Sequence, residues 1–322
     1  HEAIPIGLAL EVFTNEFARS TVGRNRFLRE ARRAATIRHP SVVNIFDVGV
    51  QDGIPYLVME RLDGEDLDAL LRSRGALDEN TLVDLMVPVV AGLCALHEAG
   101  LVHGDLAAGN VFLANRPGRE REPKLLDCGI SRAFGGARLR RTSGTRGMLR
   151  GSPLYLSPES ASGGEVTPLS DQYSLGVLLY ECAVGANPFM ADTAAESIRR
   201  ITHGEYPALS QHEARPSAAL VHLIERAMSL DPEERFPDLK ALGRELLVLA
   251  SERTRMTWSL SFGEAGPVLL TRRKAASPPA PLRFLSEIFD RERLRRFDWS
   301  TAAAILFGLV TFSWGIAILL AR

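Results

Sequence analysis

The chain has 322 residues, which is enough for one large domain or two ordinary ones. Its 38 Lys and Arg residues nearly balance 39 Asp and Glu residues, and the net charge of −1 excludes a general electrostatic attraction for nucleic acid. A hydrophobic fraction of 46% with 24% charged residues supplies a sizeable core and excludes wholesale disorder.

Hydrophobic periodicity predicts a small strand-rich part followed by a larger helical part. Residues 6–13 and 54–60 have the pattern of strands, whereas residues 25–38 have that of a helix. Longer helical patterns follow at residues 78–99, 169–184 and 193–203.

The cysteines and the first residue of the chain each carry information. The spacing of the cysteines indicates the redox state of the compartment, and the first residue indicates whether sequence is missing upstream. Cys94, Cys128 and Cys182 lie far apart without a Cys-x-x-Cys pair, which fits a reducing compartment and argues against a structural zinc site. The chain begins at His1 rather than Met, so we expect further sequence upstream.

The C-terminal end carries the clearest physical signal. Residues 301–321, from Thr301 to Ala321, are 21 uncharged residues, and as a helix they would span about 31 Å against a hydrocarbon core of about 30 Å. Because this run has no polar stripe, it predicts a membrane span rather than a core helix. Four arginines between residues 291 and 296 precede it and only Arg322 follows, so the positive-inside rule places the preceding chain in the cytoplasm.

Two features precede this predicted span. The sequence SPPAP at residues 277–281 indicates an extended linker. Apolar residues at positions 284, 285, 288 and 289 share one side of a possible helix, which suits either the membrane surface or a solvated connecting helix.

The most specific motif is HGDLAAGN at residues 103–110. KLLDCG follows at residues 124–129 and GSPLYLSPE at residues 151–159. In this order the motifs resemble the eukaryotic-like serine/threonine protein kinases of bacteria, whose signature is H-R-D-L-x-x-x-N, D-F-G and a later P-E. The resemblance covers about residues 6–249, with RHPSVVNIFDVG, YLVMERLDG, SDQYSLGVLLYECAVGANPF and DPEERF also in order.

This resemblance implies an α+β, bilobal protein kinase fold, to which the predicted transmembrane helix is added. We expect a partial β-rich N-lobe at residues 1–62 and a helical C-lobe at residues 63–252. A juxtamembrane linker at residues 253–297 and the transmembrane helix at residues 298–321 would follow. The family's Gly-rich loop over the phosphates is expected upstream of His1.

The resemblance also implies the site residues. Asp105 matches the base that accepts the substrate hydroxyl proton. Asn110 and Asp127 match the oxygen ligands that hold Mg (or Mn) against the phosphates of ATP, although Asn and Asp also cap loops. Adenine would lie between Ala9 and Phe112, in front of Met59, and against the hinge from Glu60 to Leu62.

The largest departure from the family pattern concerns charge beside the phosphates. The family presents a lysine from a V-A-I-K strand and pairs it with a glutamate on the next helix. Here the strand reads ALEV, so Glu11 replaces the lysine, and Glu30 is the matching glutamate. The two carboxylates would repel each other unless one is protonated or the helix moves away, so nucleotide binding should weaken. No lysine precedes Lys124.

Three further departures remove groups that the resemblance leads us to expect. Gly104 replaces the arginine that receives a phosphorylated activation loop. Ala107 replaces a lysine that stabilises the transferring phosphate, and Cys128 replaces a phenylalanine, where we interpret it as a small core residue. The basic segment at residues 138–150 is a solvated loop or offers the phosphosites Thr142, Ser143 and Thr145.

Two other matches are structural. Glu159 and Arg235 match a buried ion pair between the peptide-binding loop and the C-terminal helices. Asp171 matches a residue that braces the catalytic loop.

Two hypotheses for the function follow. In the first, the chain is a single-pass inner-membrane protein whose cytoplasmic kinase-like domain transfers phosphate poorly or not at all. It would serve as a pseudokinase scaffold for a protein substrate or signalling partner, with no nucleic acid. In the alternative, it is an active atypical serine/threonine kinase that uses Asp105, Asn110 and Asp127 with a substitute cation. The retained metal ligands favour the alternative, and the lost groups favour the scaffold.

Overall fold

The computed structural model describes residues 7–13, 20–116, 118, 121–128, 152–212 and 216–263. Strands dominate the first part of this region and helices the remainder. The predicted membrane span, the SPPAP segment at residues 277–281 and the three predicted phosphosites lie outside the described residues.

The small lobe is a three-stranded antiparallel sheet with one helix against it. Strand β1 (Leu8–Val12) pairs with β3 (Ile54–Glu60), which pairs with β2 (Ile45–Gln51), so the order is β1-β3-β2. Helix α1 (Thr21–Ala34) packs on β2 and β3 and buries Phe27 completely. The two strands predicted from the sequence are β1 and β3.

Helix α1 begins and ends earlier than the predicted range of residues 25–38. It begins at Thr21 because the Ser20 side chain accepts a hydrogen bond from the backbone N–H of Gly23 at 3.0 Å. It ends at Ala34, five residues before the His39-Pro40 step, where a proline disfavours helical backbone in the preceding residue.

The large lobe starts with a second three-stranded sheet and continues as helices. The sheet has the order β4-β5-β6, with β4 at Gly64–Asp66, β5 at Val111–Ala114 and β6 at Glu122–Leu125. The helices are α2 (Leu67–Arg74), α3 (Glu79–Glu98), α4 (Pro158–Ala161), α5 (Pro168–Val184), α6 (Ala194–His203), α7 (Ala218–Ala227), α8 (Leu239–Leu249) and α9 (Glu252–Phe262).

Helices α3 and α5 form the centre of the large lobe. Apolar residues surround both helices, and most of their side chains are buried. Among the described residues, α3 is the one helix long and apolar enough to cross a membrane. Since most of it is buried within the lobe, it is accounted for as a core helix.

Helix α9 extends the packed lobe beyond the predicted boundary at residue 252. Phe262, near the end of the helix, is buried against Gly243 of α8, where an added Cβ would lie 2.3 Å from its ring. Arg244 donates to the carbonyl of Phe262 at 3.0 Å, and the N–H of Ser251 donates to Asp84 of α3 at 2.9 Å. Residues 253–262 thus pack as part of the large lobe rather than as a linker.

The expected ion pair between Glu159 and Arg235 is present. Two guanidinium nitrogens of Arg235 donate to the two carboxylate oxygens of Glu159 at 3.0 and 2.9 Å. Burial alone would raise the pKa of Glu159, but hydrogen bonds from Arg235 lower it to about 2. This pair joins α4 to the segment before α8.

Candidate active site

Asp171 on α5 fixes the start of the HGDLAAGN loop, which lies between α3 and β5. Its carboxylate accepts hydrogen bonds from the backbone N–H groups of His103 at 2.8 Å and Gly104 at 2.7 Å. The Nε2 atom of His97 lies 2.7 Å from the same carboxylate. Because the bonds to the loop use backbone donors, Asp171 braces it without help from a side chain at position 104.

The loop before α4 meets the HGDLAAGN loop through a short chain of hydrogen bonds. The side-chain amide of Asn110 donates to the backbone carbonyl of Asp105 at 2.6 Å, and the backbone carbonyl of Asn110 accepts from the backbone N–H of Leu126 at 2.9 Å. The Nε2 atom of His103 lies 3.0 Å from the carbonyl of Leu126. These contacts bring Asp105, Asn110 and Asp127, the three predicted catalytic residues, to one edge of the large lobe.

Asp127 has an unusual backbone conformation. Its φ of 53° lies in the left-handed region, which is uncommon for residues other than glycine, although Asp tolerates it better than most. Such conformations persist where the surrounding structure imposes them, and they cluster at functional sites. The preceding residue, Leu126, donates its backbone N–H to the carbonyl of Asn110, which holds the start of the turn that carries Asp127.

Glu11 on β1 reaches across to this turn. Its side chain is 8% exposed, and its carboxyl group shares a hydrogen bond with the carboxyl group of Asp127. Burial and the nearby charge of Asp127 raise the pKa of Glu11 well above its usual range. Burial and the carboxyl group of Asp127 therefore both favour the protonated form of Glu11, which can donate to the Asp127 carboxylate.

Glu11 and Glu30, whose carboxylates the sequence predicts to repel each other, have other partners in the structure. Glu30 pairs with two arginines of its own helix, Arg29 at 3.2 Å and Arg33 at 3.5 Å. The carboxyl group that meets Glu11 within the described residues is that of Asp127. Local arginines therefore neutralise Glu30, which relieves the repulsion that the sequence predicts.

Arg33 also ties α1 to the large lobe. Its guanidinium group donates to the carbonyls of Ala99 and Gly100, at the end of α3, at 3.4 and 3.0 Å. Sequence reasoning missed this contact because an exposed arginine on a helix rich in arginine carries no distinguishing pattern.

Lys124 on β6 is the buried cation nearest in sequence to Asp127, and it has a different partner. Its Nζ atom lies 2.7 Å from Oε1 of Glu60 in the hinge, which also accepts from the backbone and side chain of Asn44 at 2.8 and 3.0 Å. Lys124 thus joins the two lobes behind the hinge and does not replace the cation lost at Glu11. A lysine inside an apolar run of a chain with three lysines was the signal that could have identified it.

The predicted adenine-binding residues flank this hinge. Ala9 on β1 lies opposite Met59 on β3 in the strand register, and Phe112 lies on β5. Leu62, the last residue of the hinge, is half-buried. Their contact with adenine stays a prediction.

Cys128 and Ala107 are small buried residues of the core around the site. The Sγ atom of Cys128 lies 3.8 Å from the carbonyls of Leu125 and Leu126, and burial raises the pKa of its thiol. An inert structural cysteine behaves in this way, which agrees with the interpretation of Cys128 as a core residue. Ala107 is also buried and carries no charge into the site.

Comparison with known proteins decides the family. The model of the protein kinase domain matches residues 8–246. The chain belongs to the protein kinase family. The described part has the bilobal kinase fold that the motifs implied.

The chain is similar in sequence to several bacterial serine/threonine-protein kinases. It is 33% identical over 245 residues to the serine/threonine-protein kinase PknL of Mycobacterium tuberculosis, covering 76% of this chain and 59% of that relative. It is 33% identical over 264 residues to pkn3 of Myxococcus xanthus, covering 80% of this chain and 48% of that one. The chain therefore spans about half the length of these curated relatives.

A solved structure gives the same result for the fold. The crystal structure of the PknI kinase domain of M. tuberculosis superimposes with a TM-score of 0.59 at 25% identity. The match covers 78% of this chain and 88% of that domain.

Protein kinases use ATP with Mg or Mn, and the residues at this site fit that pair only in part. The amide of Asn110 and the carboxylate of Asp127 are hard oxygen ligands that suit Mg. Glu11, the predicted counterpart of the lysine that meets the phosphates in this family, places a carboxyl group beside Asp127. The donor set fits the metal, whereas the charge at position 11 does not fit a polyphosphate.

Proposed function

We propose that this chain is a membrane-anchored, serine/threonine kinase-like signalling protein in which phosphoryl transfer from ATP is impaired. It binds protein partners as a scaffold, and its near-neutral charge gives it no general affinity for nucleic acid. The observation that supports the impairment is the hydrogen bond between the buried carboxyl group of Glu11 and the half-buried carboxyl group of Asp127.

That contact opposes ATP and metal in two ways. A metal ion at Asp127 would compete with Glu11 for the Asp127 carboxylate, and the incoming phosphates would meet the carboxyl groups of both residues. Two other positions offer no compensating cation, because Gly104 and Ala107 stand where the family has arginine and lysine. The described lysine closest in sequence to the site, Lys124, is bound to Glu60.

The alternative is an active atypical kinase, and one observation favours it. Asp105, Asn110 and Asp127 are retained, and the hydrogen bond from the Asn110 side chain to the carbonyl of Asp105 supports a grouping of the first two. In this alternative Asp105 accepts the proton of the substrate hydroxyl, and Asn110 and Asp127 hold the metal.

A phosphate-transfer assay distinguishes the two functions. The purified full chain is incubated with labelled ATP, Mg or Mn, and peptides that contain serine and threonine. Asp105→Asn, which removes the proposed base but keeps the side chain's size, is the matched control. We expect the wild type to transfer no more label than this variant. Transfer that clearly exceeds it would replace the scaffold by the active atypical kinase.

The proposed anchor is the uncharged run at residues 301–321, with the kinase-like domain on the cytoplasmic side of the inner membrane. Deletion of residues 298–322 should release the protein into the soluble fraction. A truncated protein that stayed folded and still pelleted after a carbonate wash would show that the anchor lies elsewhere.

A further inference from the structure

Helix α9 turns an apolar face outward. Leu260 is 95% exposed and Met256 is 77% exposed, and the two lie one turn apart on the same side of the helix. Val248, near the end of α8, is 70% exposed. The outer side of a surface helix is normally polar, so this concentration of exposed apolar side chains needs an explanation.

The opposite side of α9 is firmly packed, so the helix cannot rotate to bury these residues. Phe262 is buried against α8, and the ring of Trp258 lies 5.7 Å from the ring of His39 in the loop after α1. The outward direction of Met256 and Leu260 is therefore fixed by the packing of the large lobe.

Arginines accompany this apolar face. Arg253 and Arg255 are both exposed on α9. Apolar side chains beside arginines are typical of helices that lie in the interface of an anionic bilayer, where the arginines meet lipid phosphates.

The position of α9 in the chain favours a lipid occupant over other partners. The chain continues directly from α9, and 37 residues separate Gly263 from Thr301, where the proposed span begins. For comparison, a random coil of 37 residues would have a root-mean-square span of about 35 Å, so the proposed anchor would keep α9 near the bilayer. At such an effective concentration even weak interfacial binding is populated.

We propose that Met256, Leu260 and Val248, with Arg253 and Arg255, form a docking face that lies on the anionic cytoplasmic surface of the membrane. This inference rests on the proposed anchor. Because the inner side of α9 contacts His39, docking fixes the orientation of the kinase-like domain relative to the bilayer and immobilises the loop after α1.

A fluorescent probe on the docking face tests this proposal in the full chain. The three native cysteines are buried, so Leu260→Cys introduces an accessible thiol for an environment-sensitive label. The labelled protein is reconstituted into vesicles of phosphatidylcholine and phosphatidylglycerol, with or without bromine on the acyl chains. We expect brominated lipid to quench the label about two-fold, since the face would contact the acyl region.

Two matched controls accompany this measurement. Ser162→Cys, at an exposed position after α4, should give an unquenched label. A label at Val248→Cys should be quenched, and adding Met256→Asp and Leu260→Asp should abolish that quenching while the protein still floats with the vesicles.

Each other outcome overturns the proposal in a distinguishable way. Protein that floats with vesicles but carries an unquenched, solvent-exposed label at position 260 refutes the docking face and leaves the anchor intact. A blue-shifted but unquenched label means that protein, for example residues 284–289, covers the face. Protein that does not float refutes the anchor and the docking face together.

Discussion

Glu11→Lys should strengthen the binding of ATP with magnesium. The substitution removes a carboxyl group from the phosphate side of Asp127, frees that ligand for the metal and adds a cation. Restoring one charge-assisted contact is worth about 1.5 to 3 kcal/mol, or roughly one to two orders of magnitude in affinity. Since Glu11 is 8% exposed, water screens the new charge little, which favours the upper half of this range.

The control for this prediction is Glu11→Gln. Gln keeps the size of Glu and can donate a hydrogen bond to Asp127, but it needs no proton and adds no cation. We expect it to improve affinity by less than about tenfold, because it removes repulsion without adding attraction. Isothermal titration of the full-length variants with ATP and magnesium measures both effects, and circular dichroism reports whether they remain folded.

The gain in catalysis should be smaller than the gain in affinity. Ala107 still lacks the cation that would meet the transferring phosphate. Unchanged or weaker binding by a folded Glu11→Lys variant would show that position 11 does not face the nucleotide. An equal gain in Glu11→Lys and Glu11→Gln would show that repulsion alone, rather than the missing cation, limits binding.

Three other substitutions test the packing that supports the site. Burial lowers the pKa of His39 to about 4, so the unfolded chain binds more protons below about pH 6.5 and wild-type stability should fall from there to pH 4. His39→Asn should reduce that loss by about 1 to 2 kcal/mol after allowance for solvent screening, measured by urea unfolding across this pH window. Arg235→Leu should lower the free energy of unfolding, measured in urea, by about 3 kcal/mol because it leaves the carboxylate of Glu159 without its ion-pair partner. The double variant Arg235→Leu with Glu159→Gln, which removes that charge, should recover part of the loss. Gly243→Ala should cost about 1 to 3 kcal/mol in thermal unfolding through its clash with Phe262, whereas stabilisation would show that α9 does not pack there.

The accuracy of the helix and strand predictions depended on how local their signals are. Helix α3 was predicted to within a residue at each end, since a long apolar run follows Asp78, whose side chain caps the first turn. Strand β2 was not predicted, because Asp47 and Gly49 interrupt its alternation and its stability comes from pairing with β3. The onset of α1 was missed since the cap at Ser20 precedes residues of weak helix propensity.

The sequence predicted which residues belong to the candidate site, but it predicted only some of the contacts that these residues make. Motif spacing identified Asp105, Asn110 and Asp127, and the hydrogen bonds between their loops agree with that grouping. The partner of Glu11 could not be read from the sequence, because it depends on how β1 of the small lobe meets a turn of the large one. The same is true of Lys124, whose partner in the hinge is distant in sequence.

The contacts that hold the fold together and the charged groups that bind phosphate involve different residues. Asp171 holds the HGDLAAGN loop through backbone N–H groups, so Gly104 costs that brace nothing. Helix α1 is held to the large lobe by Arg33 and does not need a lysine on β1. A chain can therefore exchange its phosphate-binding cation for Glu11 and remain folded, which is the physical condition that a kinase-derived scaffold must satisfy.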